Sequence, residues 1–208
     1  MIVSQFGVES WMDQYEEGAK YNITDTCAKP LSLAELFSLA GEDRADFMER
    51  FFAREQTYGT IFGSEKVKKE ISRLYASISP EEILTEHGAT GGNQHIFFSL
   101  IRPGDRVIAF SPSYQQFYSA PEALGAEVTV LRLRRENGYL PDLDELSRVA
   151  ARGVRMICLN NPNNPTGSLI PADMMADIVT IARRAGAYLF CDEVYSGVSI
   201  DGASTPSV

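Results

Sequence analysis

Four short stretches of this chain carry side chains suited to chemistry. Asn161-Pro162-Asn163-Asn164-Pro165-Thr166-Gly167 follows the apolar run Met156-Ile157-Cys158-Leu159. Its prolines and glycine stop any regular element and hold the asparagine amides on a stiff turn. An uncharged amide such as that of Asn164 can donate to a phenolic oxygen and lower its affinity for protons, while Asn161 reads as the holder of the loop. Gly88-Ala89-Thr90-Gly91-Gly92 sits where a helix begins, and backbone N–H groups at a helix start, with a threonine hydroxyl beside them, bind phosphate dianions. Tyr114, in Ser111-Pro112-Ser113-Tyr114, could stack on a flat heteroaromatic ring. Asp192, in Asp192-Glu193-Val194-Tyr195, would be a carboxylate at a dry strand end, which is costly unless a cation such as a protonated pyridine nitrogen faces it. Tyr195 can add a second hydrogen bond to the same phenolic oxygen as Asn164.

Each stretch also has a plainer reading. They are a proline-rich β-turn, a glycine connection needed for its backbone angles, a tyrosine that merely packs, and an acidic surface pair or helix cap. The set read together favours one phosphorylated, flat-ringed ligand. The glycine spacing is not the GxGxxG of dinucleotide binding, and no lysine follows as a phosphate-binding P-loop would require.

The elements that must position these groups alternate strand and helix from about residue 80, the pattern of a parallel sheet covered on both faces. Ile83-Leu84-Thr85 reads as a brief strand, followed by a helix carrying Ile96, Phe97, Leu100 and Ile101. Val107–Phe110 reads as a buried strand, Tyr114–Leu124 as a helix disturbed at Pro121, and Val128–Leu131 as the next strand. Asp142 with Glu145 caps a helix bearing Leu143, Leu146 and Val149. Beyond the asparagine-proline loop, Pro171 opens a helix that Gly186 ends, and Tyr188–Cys191 completes a fifth strand. Upstream, Ser32 and Glu35 form a capping box, Glu42–Arg50 continues as a solvated helix, and Val67, Ile71, Leu74 and Ile78 make one helical face that Pro80 ends. Residues 1–30 are poorly periodic, an arm with Trp11, Tyr15 and Tyr21.

Bulk properties narrow the classes further. A chain of 208 residues with 44% hydrophobic residues can bury one good core. A net charge of −9 argues against sequence-independent nucleic-acid binding. No apolar run reaches membrane-spanning length and the N-terminus lacks a signal-peptide pattern. Three cysteines and two histidines, without metal spacing, predict reduced thiols in a cytoplasmic protein and no metal centre.

The asparagine-proline run, the Gly88–Asp105 segment, Tyr114 and Asp192-x-x-Tyr195 together resemble the pyridoxal-phosphate (PLP) enzymes of the aspartate aminotransferase fold, over about residues 58–195. The resemblance implies an α/β, three-layer αβα fold with a mainly parallel sheet. Residues 1–50 would form an N-terminal arm and the start of a small domain, and residues 51–208 part of the PLP-binding large domain. It implies amino-group transfer between an amino acid and a 2-oxo acid, in a homodimer with shared sites. PLP would be held by Gly88, Ala89, Thr90, Tyr114, Asn164, Asp192 and Tyr195, with Tyr58 approaching the phosphate of a neighbouring subunit's cofactor.

The family's Schiff-base lysine lies beyond the Asp-x-x-Tyr strand in a Ser-x-x-Lys context. This chain has Lys20, Lys29, Lys66, Lys68 and Lys69 and none later, so it offers no catalytic residue. The expectation is the N-terminal part of such an enzyme, inactive alone, with the tail Ser204-Thr205-Pro206-Ser207-Val208 unlike a packed terminus. A non-catalytic PLP-fold remnant and an unrelated nucleotide-binding α/β module are the alternatives. Tyr21-Asn22-Ile23-Thr24-Asp25 departs from the Gly-Pro loop that many relatives place near the substrate, which leaves the amino donor open.

Overall fold

Val107–Phe110 and Met156–Leu159 are apolar at every position, as strands covered on both faces must be. The structure, a computed structural model, describes residues 2–24, 27–198, 202 and 205–208; Asp25 and Ser204 lie outside these. It forms two compact units, residues 1–26 with 87–208, and residues 27–86.

The larger unit holds one parallel four-stranded sheet of β1 (Arg106–Ser111), β2 (Glu127–Arg132), β3 (Met156–Asn160) and β4 (Tyr188–Asp192), in the order β2-β1-β3-β4. Alternation along each strand sends side chains to two separate cores. Ile108, Phe110, Ile157 and Leu159 pack with Leu146, Ile178 and Ala182, from α7 (Leu143–Ala150) and α8 (Ala172–Ala185). Val107, Ala109, Met156, Cys158 and Phe190 pack with Phe97, Phe117 and Ala120, from α5 (Gly88–Leu100) and α6 (Gln116–Ala123). Helices on both faces of a parallel sheet make the expected three-layer α/β arrangement. Local signals end the helices as anticipated: Asp142 accepts from the Glu145 N–H at 3.0 Å, and Gly186 closes α8 at φ 64°.

Several expectations are corrected. The sheet has four strands, because Ile83–Thr85 falls in the 27–86 unit, which contains no strand to pair with it among the described residues. In that unit α2 (Leu33–Ala40) carries the predicted Ser32–Glu35 capping box and α3 (Arg44–Phe52) follows. Helix α4 (Glu65–Ser72) stops short of Ile78. Its hydrogen bonds switch to the i→i+3 pattern at Leu74 and Tyr75, and Leu74 stays exposed, with no core to reward a further turn. The N-terminal arm contains a helix, α1 (Gly7–Tyr15), and α6 begins at Gln116, two residues after Tyr114. No described helix is long and apolar enough to cross a membrane.

The two cores have different tolerances from the sheet's outer edge. Phe97 and Ile178 are 0% exposed, so Phe97→Ala and Ile178→Ala are expected to cost about 2–5 kcal/mol each. Val130→Thr, on edge strand β2 at 42% exposure, should stay within about 0.5 kcal/mol. Urea unfolding of the three variants measures the contrast.

Candidate functional site

Chain order and sheet order part company between β1 and β3. From β1 the chain steps outward to β2, then returns past β1 to β3 and goes on to β4. The loops leaving the carboxyl ends of β1 and β3 therefore run apart, opening the kind of crevice in which α/β sheets bind ligands. Both loops are proline-bearing, and the Ser111-Pro112, Asn161-Pro162 and Asn164-Pro165 bonds are cis. They are tied together across the crevice. The Ser113 hydroxyl donates to Asn163 Oδ1 at 2.8 Å, and Asn163 Nδ2 donates to the Pro112 carbonyl at 3.0 Å.

Asp192 ends β4. Period two puts it on the same face as Phe190, over α5 and α6. It is 7% exposed, and its backbone carbonyl accepts from Asn160 Nδ2 at 3.0 Å and from the Asn161 N–H at 2.9 Å. Its carboxylate accepts from Asn93 Nδ2 at 2.7 Å on Oδ2, and from the Val194 N–H at 3.0 Å on Oδ1. Among the described residues no lysine, arginine or histidine comes within ion-pair distance of it. It is a buried carboxylate with neutral donors and, among the described residues, no cation within ion-pair distance.

The same edge gathers the other groups. Asn164 Nδ2 donates to the Tyr195 hydroxyl at 3.2 Å, so the two side chains expected to share one phenolic oxygen do converge. Asn160 Oδ1 fixes the Asn164 backbone by accepting its N–H at 2.7 Å. Asn161 is fully buried and holds the loop, accepting from the Ile170 N–H at 2.9 Å and donating to the Pro206 carbonyl at 3.1 Å. Gly88 opens α5 at φ 74°, a left-handed conformation that glycine adopts freely. Gly88, Ala89 and Thr90 are exposed and no side chain caps this helix start, which leaves its first N–H groups to face outward.

Tyr114 stands between these groups. Burial pushes its phenol up from the ordinary value; a hydrogen bond with the Thr90 side chain works the other way, and the charges of Glu9 and Asp192 add to the rise. Phe6 and Phe117 meet its ring at 80° and 71°, so neither is stacked parallel on it. Tyr58 belongs to the 27–86 unit and is fully exposed.

Sequence reasoning missed two contributors, Asn93 and Gln116. Asn93 lies one turn before Phe97 on the inner stripe of α5. A polar residue on a buried stripe was the available signal.

The family model for aminotransferase class I and II matches residues 47–207. The chain belongs to that family. It is 30% identical over 155 residues to LL-diaminopimelate aminotransferase of Nitratidesulfovibrio vulgaris, covering 72% of this chain and 40% of that protein. It is 29% identical over 135 residues to aspartate aminotransferase of Thermotoga maritima, covering 64% and 36%. Its structure is similar to that of a PLP-dependent aminotransferase from Streptococcus suis, with a TM-score of 0.94 and 42% identity over 100% of this chain and 55% of the other. The chain thus spans about half the length, or less, of the class I and II aminotransferases it matches.

Two cysteines flank the site. Burial pushes the Cys158 thiol far up, and burial followed by the charges of Glu193 and Asp192 does the same to Cys191. Folded and unfolded states both hold these protons below about pH 8.5, where the thiol contribution to stability is complete. Above it only the unfolded chain releases them, so stability should fall as pH rises. Urea midpoints taken from about pH 7 to pH 10 should decline less for Cys191→Ala than for the unaltered chain. Thiol-specific reagents should modify Cys158 only on unfolding.

Proposed function

We propose that this chain is the cofactor-binding part of a PLP-dependent aminotransferase whose whole protein transfers an amino group between an amino acid and a 2-oxo acid. The observation that carries this reading is Asp192, a buried carboxylate facing neutral donors, with no cation among the described residues. Such a group is stable when a ligand brings the missing positive charge, and a protonated pyridine nitrogen does so. The residues present fit the rest of the molecule as well. The exposed first turn of α5, with Thr90, suits the phosphate. Tyr114 suits the ring face. Asn164 Nδ2 and the Tyr195 hydroxyl, 3.2 Å apart, suit one phenolic oxygen. When bound, the cofactor supplies an electron-withdrawing ring that stabilises negative charge on the amino-acid carbon.

Against that ring the chain's own groups have separable tasks. The α5 N–H groups and Thr90 would hold the phosphate, and Asp192 would favour the protonated form of the ring nitrogen. Asn164 and Tyr195 offer hydrogen bonds to the phenolic oxygen and oppose its protonation. Tyr114, partly desolvated, would shield the ring from water. The chain has no lysine beyond Lys69, so covalent attachment of the cofactor and movement of the substrate proton are outside what these residues do.

The proposal extends to a homodimer with shared sites, supported by full exposure of Tyr58 and its match to a residue that reaches a neighbouring subunit's phosphate. A cytoplasmic setting accords with Cys158 and Cys191, which stand in adjacent strands outside any disulfide. The division into an arm with the start of a small domain over residues 1–50 and a cofactor-binding domain beyond is retained as part of the proposal.

Titration of the chain with PLP, followed by its near-ultraviolet absorbance, tests the reading. Asp192→Ala should weaken binding by about 100-fold, since a lost partner for a charged group is worth about 1.5–3 kcal/mol. Asn164→Ala should weaken it about threefold. A melting temperature raised by ATP or NAD and unmoved by PLP would instead support a nucleotide-binding module and overturn the assignment.

A further inference from the structure

Asn93 in α5 and Gln116 in α6 are two buried polar residues to which the cofactor reading above gives no task. Asn93 is 6% exposed and Gln116 3%. We propose that Asn93, oriented by Gln116, is the positioning residue for Asp192, an uncharged relay that fixes the carboxylate and leaves its charge for the ring nitrogen. This inference rests on the reading that Asp192 faces the cofactor.

A primary amide has two N–H donors and one carbonyl acceptor, and the relay has one satisfactory assignment. Gln116 Nε2 donates to the Thr90 backbone carbonyl at 2.9 Å. A carbonyl cannot donate, so this bond sets which way Gln116 points and turns its Oε1 towards Asn93. Asn93 Nδ2 then gives one proton to Gln116 Oε1 at 3.1 Å and the other to Asp192 Oδ2 at 2.7 Å. Turning the Asn93 amide over would set its oxygen against two other oxygens at once. Orientation thus passes from the first turn of α5 through two side chains to the end of β4, while the Val194 N–H holds the second carboxylate oxygen.

The chemical identity of the relay matters as much as its geometry. A histidine, lysine or arginine at position 93 would compete with the ring nitrogen for the same negative charge. An amide holds the carboxylate by one N–H and adds no net charge. The relay also begins at Thr90, in the turn assigned to the phosphate, so it holds phosphate end and nitrogen end at one spacing. Such fixed spacing is what a rigid ligand with two charged ends requires.

The test uses pyridoxamine 5′-phosphate labelled with nitrogen-15 in the ring, titrated into the 208-residue chain. Two readouts are followed: the dissociation constant, and the ring-nitrogen resonance, which reports protonation directly. The unaltered chain should bind it with a protonated-pyridine resonance. Asn93→Leu should weaken binding about tenfold to a hundredfold and move the resonance towards the unprotonated value. Gln116→Met, similar in shape, should weaken it about threefold and move the resonance the same way. Should Asn93→Leu fail to fold, Gln116→Met carries the test, since the exposed Thr90 turn can take a water in place of the lost donor.

If both variants lower the melting temperature yet keep the original resonance and affinity, the relay is core packing alone and the inference is overturned. Asp192→Asn separates the two levels of the argument. If it too leaves affinity and resonance unchanged, or the unaltered chain does not bind, the functional reading falls and takes this inference with it.

Discussion

A carboxylate taken out of water at the end of a strand constrains everything built around it. Asp192 is held there from three directions: its backbone by Asn160 and Asn161, one oxygen by Val194 and the other by Asn93. Neutral donors satisfy the hydrogen-bonding needs of a carboxylate without cancelling its charge, and burial without a counter-charge is costly. In the proposed reading, the ligand supplies the counter-charge. On the same reading, the phosphate turn, the tyrosine ring and the Asn164–Tyr195 pair are placed by reference to the charge of Asp192.

The sheet provides the place. Where the strand order reverses between β1 and β3, two loops leave the same edge in different directions, and the Ser113–Asn163 pair fixes the distance between them. The N-terminal segment adds a wall that its own sequence does not announce. Gln115 accepts from the Gly7 N–H and donates to the Gln5 carbonyl, each at 3.0 Å, and Phe6 lies with ring centroid 5.9 Å from that of Tyr114. Helix α1 is thereby seated beside the aromatic residue of the site. The 27–86 unit is organised differently. Its helices α2 and α3 contain no buried residue, and its phenylalanines contact one another, Phe37 with Phe47 and Phe47 with Phe51.

Much of the site was legible because its chemistry is local in sequence. A glycine-rich helix start, a strand-end acid with a tyrosine three residues on, and a proline-stiffened asparagine loop each carry their meaning within seven residues. So do caps and turns, and the Ser32 capping box and the Gly186 stop appear where the sequence places them. Tyr58 shows the limit: its proposed role depends on a second subunit, and no spacing within one chain encodes where that subunit sits.

The sequence by itself determined the alternation of strands and helices, the apolar character of β1 and β3, and the chemical types at the edge, since these follow from short-range pattern and composition. Tertiary structure decided which distant residues meet. Asn93 reaches a carboxylate 99 positions away and an amide 23 away, and neither meeting has a local signature, because an asparagine on an inner helical stripe reads the same whatever faces it. Tertiary context also denied Ile83–Thr85 a strand and ended α4 at Ser72, as a strand needs a neighbour and a helix a surface to pack on. Where hydrogen bonds close within a few residues, the chain states its structure in advance. Where they close across the sheet, only packing completes it.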